Sequence, residues 1–146
     1  MFNPADFFTP EERDEILSAI RRAEQETSGE IRLFIDRRCG ENILDRAAAV
    51  FKELKMHETS ARNGVLFYLA AEDKKFAILG DAGIHARVHH GFWDGIKEEM
   101  QEAFRESRFA EGLCRGIIRS GEALKKYFPR SKNDINELPD EFVFGK

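Results

Sequence analysis

Residues 62–84 read RNGVLFYLAAEDKKFAILGDAGI, from Arg62 to Ile84. The run from Gly64 to Ala71 is unbroken in apolar residues, has β-branched and aromatic members, and is too short for an ordinary helix. A strand buried on both faces has this pattern, because helices on either side of a sheet leave no solvent face for polar residues to occupy. Glu72-Asp73-Lys74-Lys75 is a polar turn and Phe76 to Leu79 a second apolar strand, so the stretch predicts a hairpin. Its open end brings Arg62 and Asn63 beside Gly80-Asp81-Ala82-Gly83. Backbone amides are free at such a junction, and a carboxylate there reaches a ligand without crossing the core. It is the first candidate for a site.

Upstream, Thr9-Pro10-Glu11-Glu12 predicts a helix start: Thr9 caps, Pro10 suits the first helical position and Glu12 completes a capping box. Ile16, Leu17, Ile20 and Ala23 follow at helical spacing. The helix is expected to stop at Thr27-Ser28-Gly29, with Gly29 as a left-handed exit. Glu30 to Asp36 is the first strand, with Ile31, Leu33 and Ile35 on one face and Arg32 and Phe34 on the other. A second helix is expected from about Leu44 to Lys55, turning Leu44, Ala47, Ala48, Phe51 and Leu54 inward. Strand, helix and strand form a crossover unit, so the first two strands should be parallel and the third antiparallel to both.

Downstream, Ala82 to Val88 is a short turn or helix. A longer helix follows, carrying Phe92, Trp93, Ile96, Met100, Ala103 and Phe104 on one stripe. Ser107 is expected to break it and cap the next. Phe109, Leu113, Ile117, Leu124 and Phe128 line the last helix, whose Gly112, Gly116 and Gly121 suit a close approach to a neighbour. The resulting expectation is a three-layer α/β/α sandwich with a small mixed β-sheet and about four helices, occupying residues 1–129. Residues 130–146 read as a polar tail laid on or fraying from the domain, with Ile135, Leu138, Phe142, Val143 and Phe144 as its anchors.

The 146 residues carry 27 acidic against 23 basic side chains, well mixed, for a formal charge of −4. No basic arm or patch stands out, which argues against a nucleic-acid partner. No apolar run approaches the roughly 18 residues of a membrane span. MFNPADFF lacks the basic segment and apolar core of a signal peptide. Cys39 and Cys114 have no metal or redox spacing, and two reduced thiols in the cytoplasm is the expectation.

The predicted strand directions gather Ser28-Gly29-Glu30, Arg62-Asn63 and Gly80-Asp81-Ala82-Gly83 on one rim of the sheet. Glu30, Asn63 and Asp81 are oxygen donors of the kind hard cations take, and glycines let backbone carbonyls approach. Without thiolate or imidazole, Ca2+ or Mg2+ suits this set better than zinc. The competing reading is that these residues cap turns and pair with Arg62. His85 and His89, four apart with His90 adjacent, offer a rival transition-metal site if one helix carries them, although HARVHH lacks the glutamate of HExxH and Gly91 interrupts it. His57 is isolated and expected to be exposed.

RNGVLFYLA followed by FAILGDAGIH resembles the TPM domain family, named after a thylakoid-lumen phosphatase and its relatives. The resemblance takes in TPEERDEILSAIRRAEQETSGEIRLFI upstream, and FWDGIKEEMQEAFRESRFAEGL and NDINELPDE downstream. It implies a metal-binding rim, since GDAG matches the family's Gly-Asp-x-Gly element, and it implies phosphatase-like chemistry. Phosphatase signatures are otherwise missing: six residues after Cys39 and Cys114 stand Asp45 and Ser120, not arginine, and no Asp-x-Asp or Gly-x-Ser-x-Gly occurs. A hydrolase here would need metal assistance, with Arg62 as the catalytic cation that stabilises charge on a phosphate ester. Two readings follow: a non-catalytic divalent-cation-binding or protein-interaction module, and a metal-dependent acid phosphatase acting on phosphate monoesters.

Overall fold

The computed structural model describes residues 3–130 and 143–145. Its elements are α1 (Pro10–Glu24), β1 (Glu30–Asp36), α2 (Ile43–Glu53), β2 (Gly64–Ala70), β3 (Lys75–Gly80), α3 (Ala82–His85), α4 (Phe92–Arg105), α5 (Phe109–Tyr127) and β4 (Val143–Phe144). Short 3-10 turns at Pro4–Asp6 and Met56–Glu58 join them.

β1 and β2 pair in parallel, from Glu30↔Gly64 to Asp36↔Ala70, and β3 lies antiparallel on the other edge of β2, from Val65↔Gly80 to Ala70↔Lys75. Every residue of β1 and β2 is buried because helices cover both faces. Ile31, Leu33 and Ile35 with Val65, Phe67 and Leu69 meet α1, α4 and α5 on one side. Phe34, Leu66, Tyr68 and Ala77 meet Ala47 and Val50 of α2 on the other. The expected α/β class and three layers are thus present. The helices number five among the described residues, the extra one being the four-residue α3.

Four local expectations change. Val143 and Phe144 do not merely anchor a surface tail: they form β4, parallel to β1 at Phe34↔Val143 and Ile35↔Phe144, so the sheet order is β3-β2-β1-β4. The other proposed anchors, Ile135, Leu138 and Phe142, lie outside the described residues. In α2 Ala47 and Val50 are buried, with Ile43, Phe51 and Leu54 half-buried against the same cluster, leaving Leu44 55% exposed and Ala48 on the outside. The capping box of α1 forms, with Thr9 Oγ1 accepting from the Glu12 amide and Glu12 from the Thr9 amide, but the helix ends at Glu24.

Gly29 is not left-handed; it is small because a Cβ there would stand 2.6 Å from Leu124 Cδ2. Ser107 does break α4, sitting left-handed at φ 61° while its own amide donates to Phe104 O and that of Arg108 to Ala103 O. It does not cap α5, whose N-terminus has no side-chain cap.

Candidate functional site

The starts of β1 and β2 and the end of β3 share one rim, as the strand directions require. The Asp81 amide donates to Gly64 O at 2.9 Å, extending the β2–β3 ladder by one residue. Arg62 precedes β2 in a left-handed conformation (φ 53°), and its carbonyl accepts from the amides of Gly83 (2.8 Å) and Ile84 (3.3 Å). Gly83 passes so near this loop that a Cβ would fall 2.1 Å from Ala61 O, which only glycine avoids. Backbone alone therefore locks residues 61–64 to residues 80–84.

Across that junction Arg62 grips Asp81 with two hydrogen bonds, Nε to Oδ2 at 2.7 Å and Nη2 to Oδ1 at 2.8 Å. Asp81 also caps α3, its Oδ1 accepting from the Ala82 amide at 2.8 Å. The carboxylate side chain is 6% exposed and the Arg62 side chain 50%. Burial pushes the Asp81 carboxyl up, but the hydrogen bonds from Arg62 and from the Ala82 amide outweigh it, and its pKa lies below the ordinary aspartate value. The same contact raises the Arg62 guanidinium.

The remaining predicted residues lie on this rim without joining that pair. Asn63 is 1% exposed and donates through Nδ2 to Ser28 Oγ at 3.2 Å. Glu30, 3% exposed, opens β1 opposite Gly64. Glu30, Gly64 and Asp81 thus form one row across three strands, with outer Cα positions about 10 Å apart by strand spacing. Met56 packs over the bare Gly64 between the two acids, its oxygen 3.3 Å from where a Cβ would be. Among the described residues, no three His, Cys, Asp or Glu side chains converge as a metal would need.

The oxygen donors on the rim, two carboxylates, an amide and a hydroxyl, are of the type a hard cation takes, although among the described residues they do not converge on one point. Both Asp81 oxygens are already engaged, by the Arg62 guanidinium and the Ala82 amide.

Sequence reasoning missed His57. It stands on the Met56–Glu58 turn near enough to Asp81 to act on it electrostatically, and it is half-buried rather than exposed. Among the described residues its Nδ1 is buried without a hydrogen-bond partner, as is Thr59 Oγ1 two residues later. Nothing local signals this, since His57 reaches Asp81 only through the fold. The histidine pair does not form a chelate, because α3 ends at His85 and Gly91 is left-handed at φ 84°. His85 Nδ1 accepts from Trp93 Nε1 at 3.3 Å, while His89 Nδ1 lies 2.9 Å from His90 O.

The opposite rim holds a second polar cluster. Asp36 Oδ2 accepts from Tyr68 OH at 2.7 Å and from Arg46 Nε at 2.9 Å, with Asp36 and Tyr68 both buried. This is a satisfied network beneath α2, and it fastens that helix to β1 and β2.

Residues 1–127 match the family model described as the TPM domain. The NMR structure of the BA42 protein from the psychrophilic bacterium Bizionia argentinensis superposes with a TM-score of 0.89 at 46% identity, covering 96% of this chain and 97% of that one. The N-terminal domain of a protein from P. gingivalis matches with a TM-score of 0.67 at 18% identity, over 85% of this chain and 80% of that. An N-terminal domain from Corynebacterium glutamicum gives 0.62 at 12% identity, over 93% and 80%. The last two likenesses concern the fold alone. No curated protein matches the sequence.

Proposed function

The chain belongs to the TPM domain family, and from that premise we propose that it is a divalent-cation-binding module in which Ca2+ or Mg2+ displaces Arg62 from Asp81. The observation that carries this reading is the state of Asp81: a buried carboxylate whose one side-chain counter-charge in hydrogen-bond contact, among the described residues, is the half-exposed Arg62. A buried charge needs a counter-charge, and a divalent cation supplies more of it than a guanidinium does. Asp81 would hold the ion, Asn63 and Glu30 would supply further oxygens from the same rim, and glycine-bearing loops would lend carbonyls. Two free thiols, Cys39 and Cys114, suit a reducing compartment such as the cytoplasm.

Calorimetric titration tests this directly. Asp81→Ala should weaken Ca2+ or Mg2+ binding by at least about tenfold, because the site loses one of few full charges. Arg62→Ala should bind the ion more tightly than the parent, since the competing cation is gone. Equal affinity in parent and Asp81→Ala, each folded by circular dichroism, removes Asp81 from the reading.

The alternative is the phosphatase. Arg62, once released, is a cation able to fork two phosphate oxygens beside the site, and the half-buried His57 stands near Asp81. A bound divalent ion would polarise a phosphoryl oxygen. Aryl phosphate turnover that stops in chelator and falls in Arg62→Ala supports that reading. Its absence supports the non-catalytic module, with a protein as the partner served.

A further inference from the structure

At the rim opposite Arg62 and Asp81, a cleft of about 580 Å3 opens between the β2–β3 turn and the junction of α4 with α5. Its floor is aromatic. The Phe104 ring centroid lies 5.0 Å from that of Phe76 and 5.0 Å from that of Phe109, all three rings half-buried. Its mouth is basic: Lys74, Lys75 and Arg105 line it, all exposed, and among the described residues no acidic side chain does. None of the three cations makes an ion pair among the described residues. Of the acids near it on the α4–α5 side, Glu106 and Glu111 are turned to Arg108 at 2.6 Å, while Glu102, one turn before Arg105, is exposed.

The walls are conformationally fixed. Lys74 and Ser107, two of the four non-glycine residues with positive φ among those described, both line the cleft, at φ 55° and 61°. Lys74 closes the hairpin turn with its amide on Ala71 O, and Ser107 ends α4. The chain's described end does not lie here, since β4 closes the opposite edge of the sheet beside β1.

We propose that this cleft binds a small organic anion with an apolar body, an aryl or short acyl carboxylate, sulfonate or phosphate. The volume is that of small-ligand pockets, which run from about 300 to 1,000 Å3. The three rings bury the body of such a ligand, and the unpaired cations meet its charged end. Exposed lysines at the start of the edge strand β3 and in the turn before it also discourage strand-to-strand association, and that role by itself requires no ligand.

Amide NMR titration with 1-naphthaleneacetate, and with its neutral counterpart 1-naphthaleneacetamide, separates the two. The proposal expects saturable shifts confined to residues 74–76 and 101–109 with the acetate, and binding weaker by about tenfold or more with the acetamide. The double variant Lys75→Gln, Arg105→Gln, both positions being exposed, should lose acetate affinity by about the same factor while keeping the parent's spectrum elsewhere. Equal binding of acetate and acetamide overturns the proposal. So do shifts centred on the second cleft, between α1 and α5 at Arg22 and Gly121, unchanged affinity in the double variant, or no saturation at roughly millimolar ligand.

Discussion

Arg62 and Asp81 close the open end of the β2–β3 hairpin with a two-pronged ion pair, 2.7 and 2.8 Å long, whose acid is buried and whose base is half in water. The asymmetry matters. Asp81 cannot be left alone without cost, whereas Arg62 can swing into solvent with little loss. An exchangeable cation on a fixed carboxylate is what an ion-binding rim needs before its ion arrives.

The first prediction concerns acid. The Asp81 pKa is depressed in the folded chain, because the Arg62 and Ala82 hydrogen bonds outweigh burial. A depressed carboxyl stabilises the fold above its unfolded value, about 3.9, and that contribution is lost as pH falls through the folded value. Asp81→Asn should therefore show a shallower loss of stability below about pH 4 than the parent. Urea unfolding across a pH series reads it, and parallel curves for the two proteins would refute the linkage. Arg62→Ala should lower the midpoint near neutrality, since the buried acid keeps only the Ala82 amide.

Tyr68 gives the second, with the opposite sign. Burial, and then its hydrogen bond to Asp36, raise the phenol well above its ordinary value. Its contribution is complete below about pH 10, the unfolded value, and is lost as pH climbs above that. Tyr68→Phe should cost about 1.5–3 kcal/mol near neutrality, the range for a hydrogen bond to a charged group. It should also show less additional alkaline loss than the parent. A Tyr68→Phe variant as stable as the parent at pH 7 would mean the Asp36 contact contributes nothing net.

Glycine positions supply the third. Gly121 faces α1 so closely that a Cβ would fall 2.5 Å from Ala23 Cβ and 3.0 Å from Ala23 Cα, atoms that cannot turn aside. Gly121→Ala should destabilise by about 1–3 kcal/mol. Gly95, inside α4, has nothing within 4 Å of its Cβ position, so Gly95→Ala should stabilise by about 0.5–1 kcal/mol through helix propensity. Thermal melts of the two variants should move in opposite directions. A shift of the same sign in both would show that packing against Ala23 is not what limits Gly121.

Much of the architecture was legible because its signals are local. The apolar run Gly64 to Ala71, the polar turn after it and the capping box at Thr9 each need only neighbouring residues to be read. β4 was not legible, since two residues carry no periodicity and their partner, β1, lies more than a hundred positions away. On α2, Ala47, Phe51 and Leu54 face inward as expected, but Ile43 and Val50 take the places expected of Leu44 and Ala48, because these neighbours are equally apolar and only packing against β2 and β3 chooses between them. At the site, Arg62 and Asp81 were expected on one rim and do meet there. His57 and the bond from Tyr68 to Asp36 were invisible for the same reason as β4: each depends on a partner distant in the chain.

The central claim is that a divalent cation and Arg62 compete for the Asp81 carboxylate. The most direct measurement is a crystal structure of the protein soaked in calcium. The account predicts density at about 2.3–2.6 Å from an Asp81 oxygen, with the Arg62 side chain withdrawn from it. Arg62 still forked on Asp81, with no density at the rim under saturating calcium, would contradict it and leave the pair as a structural clasp.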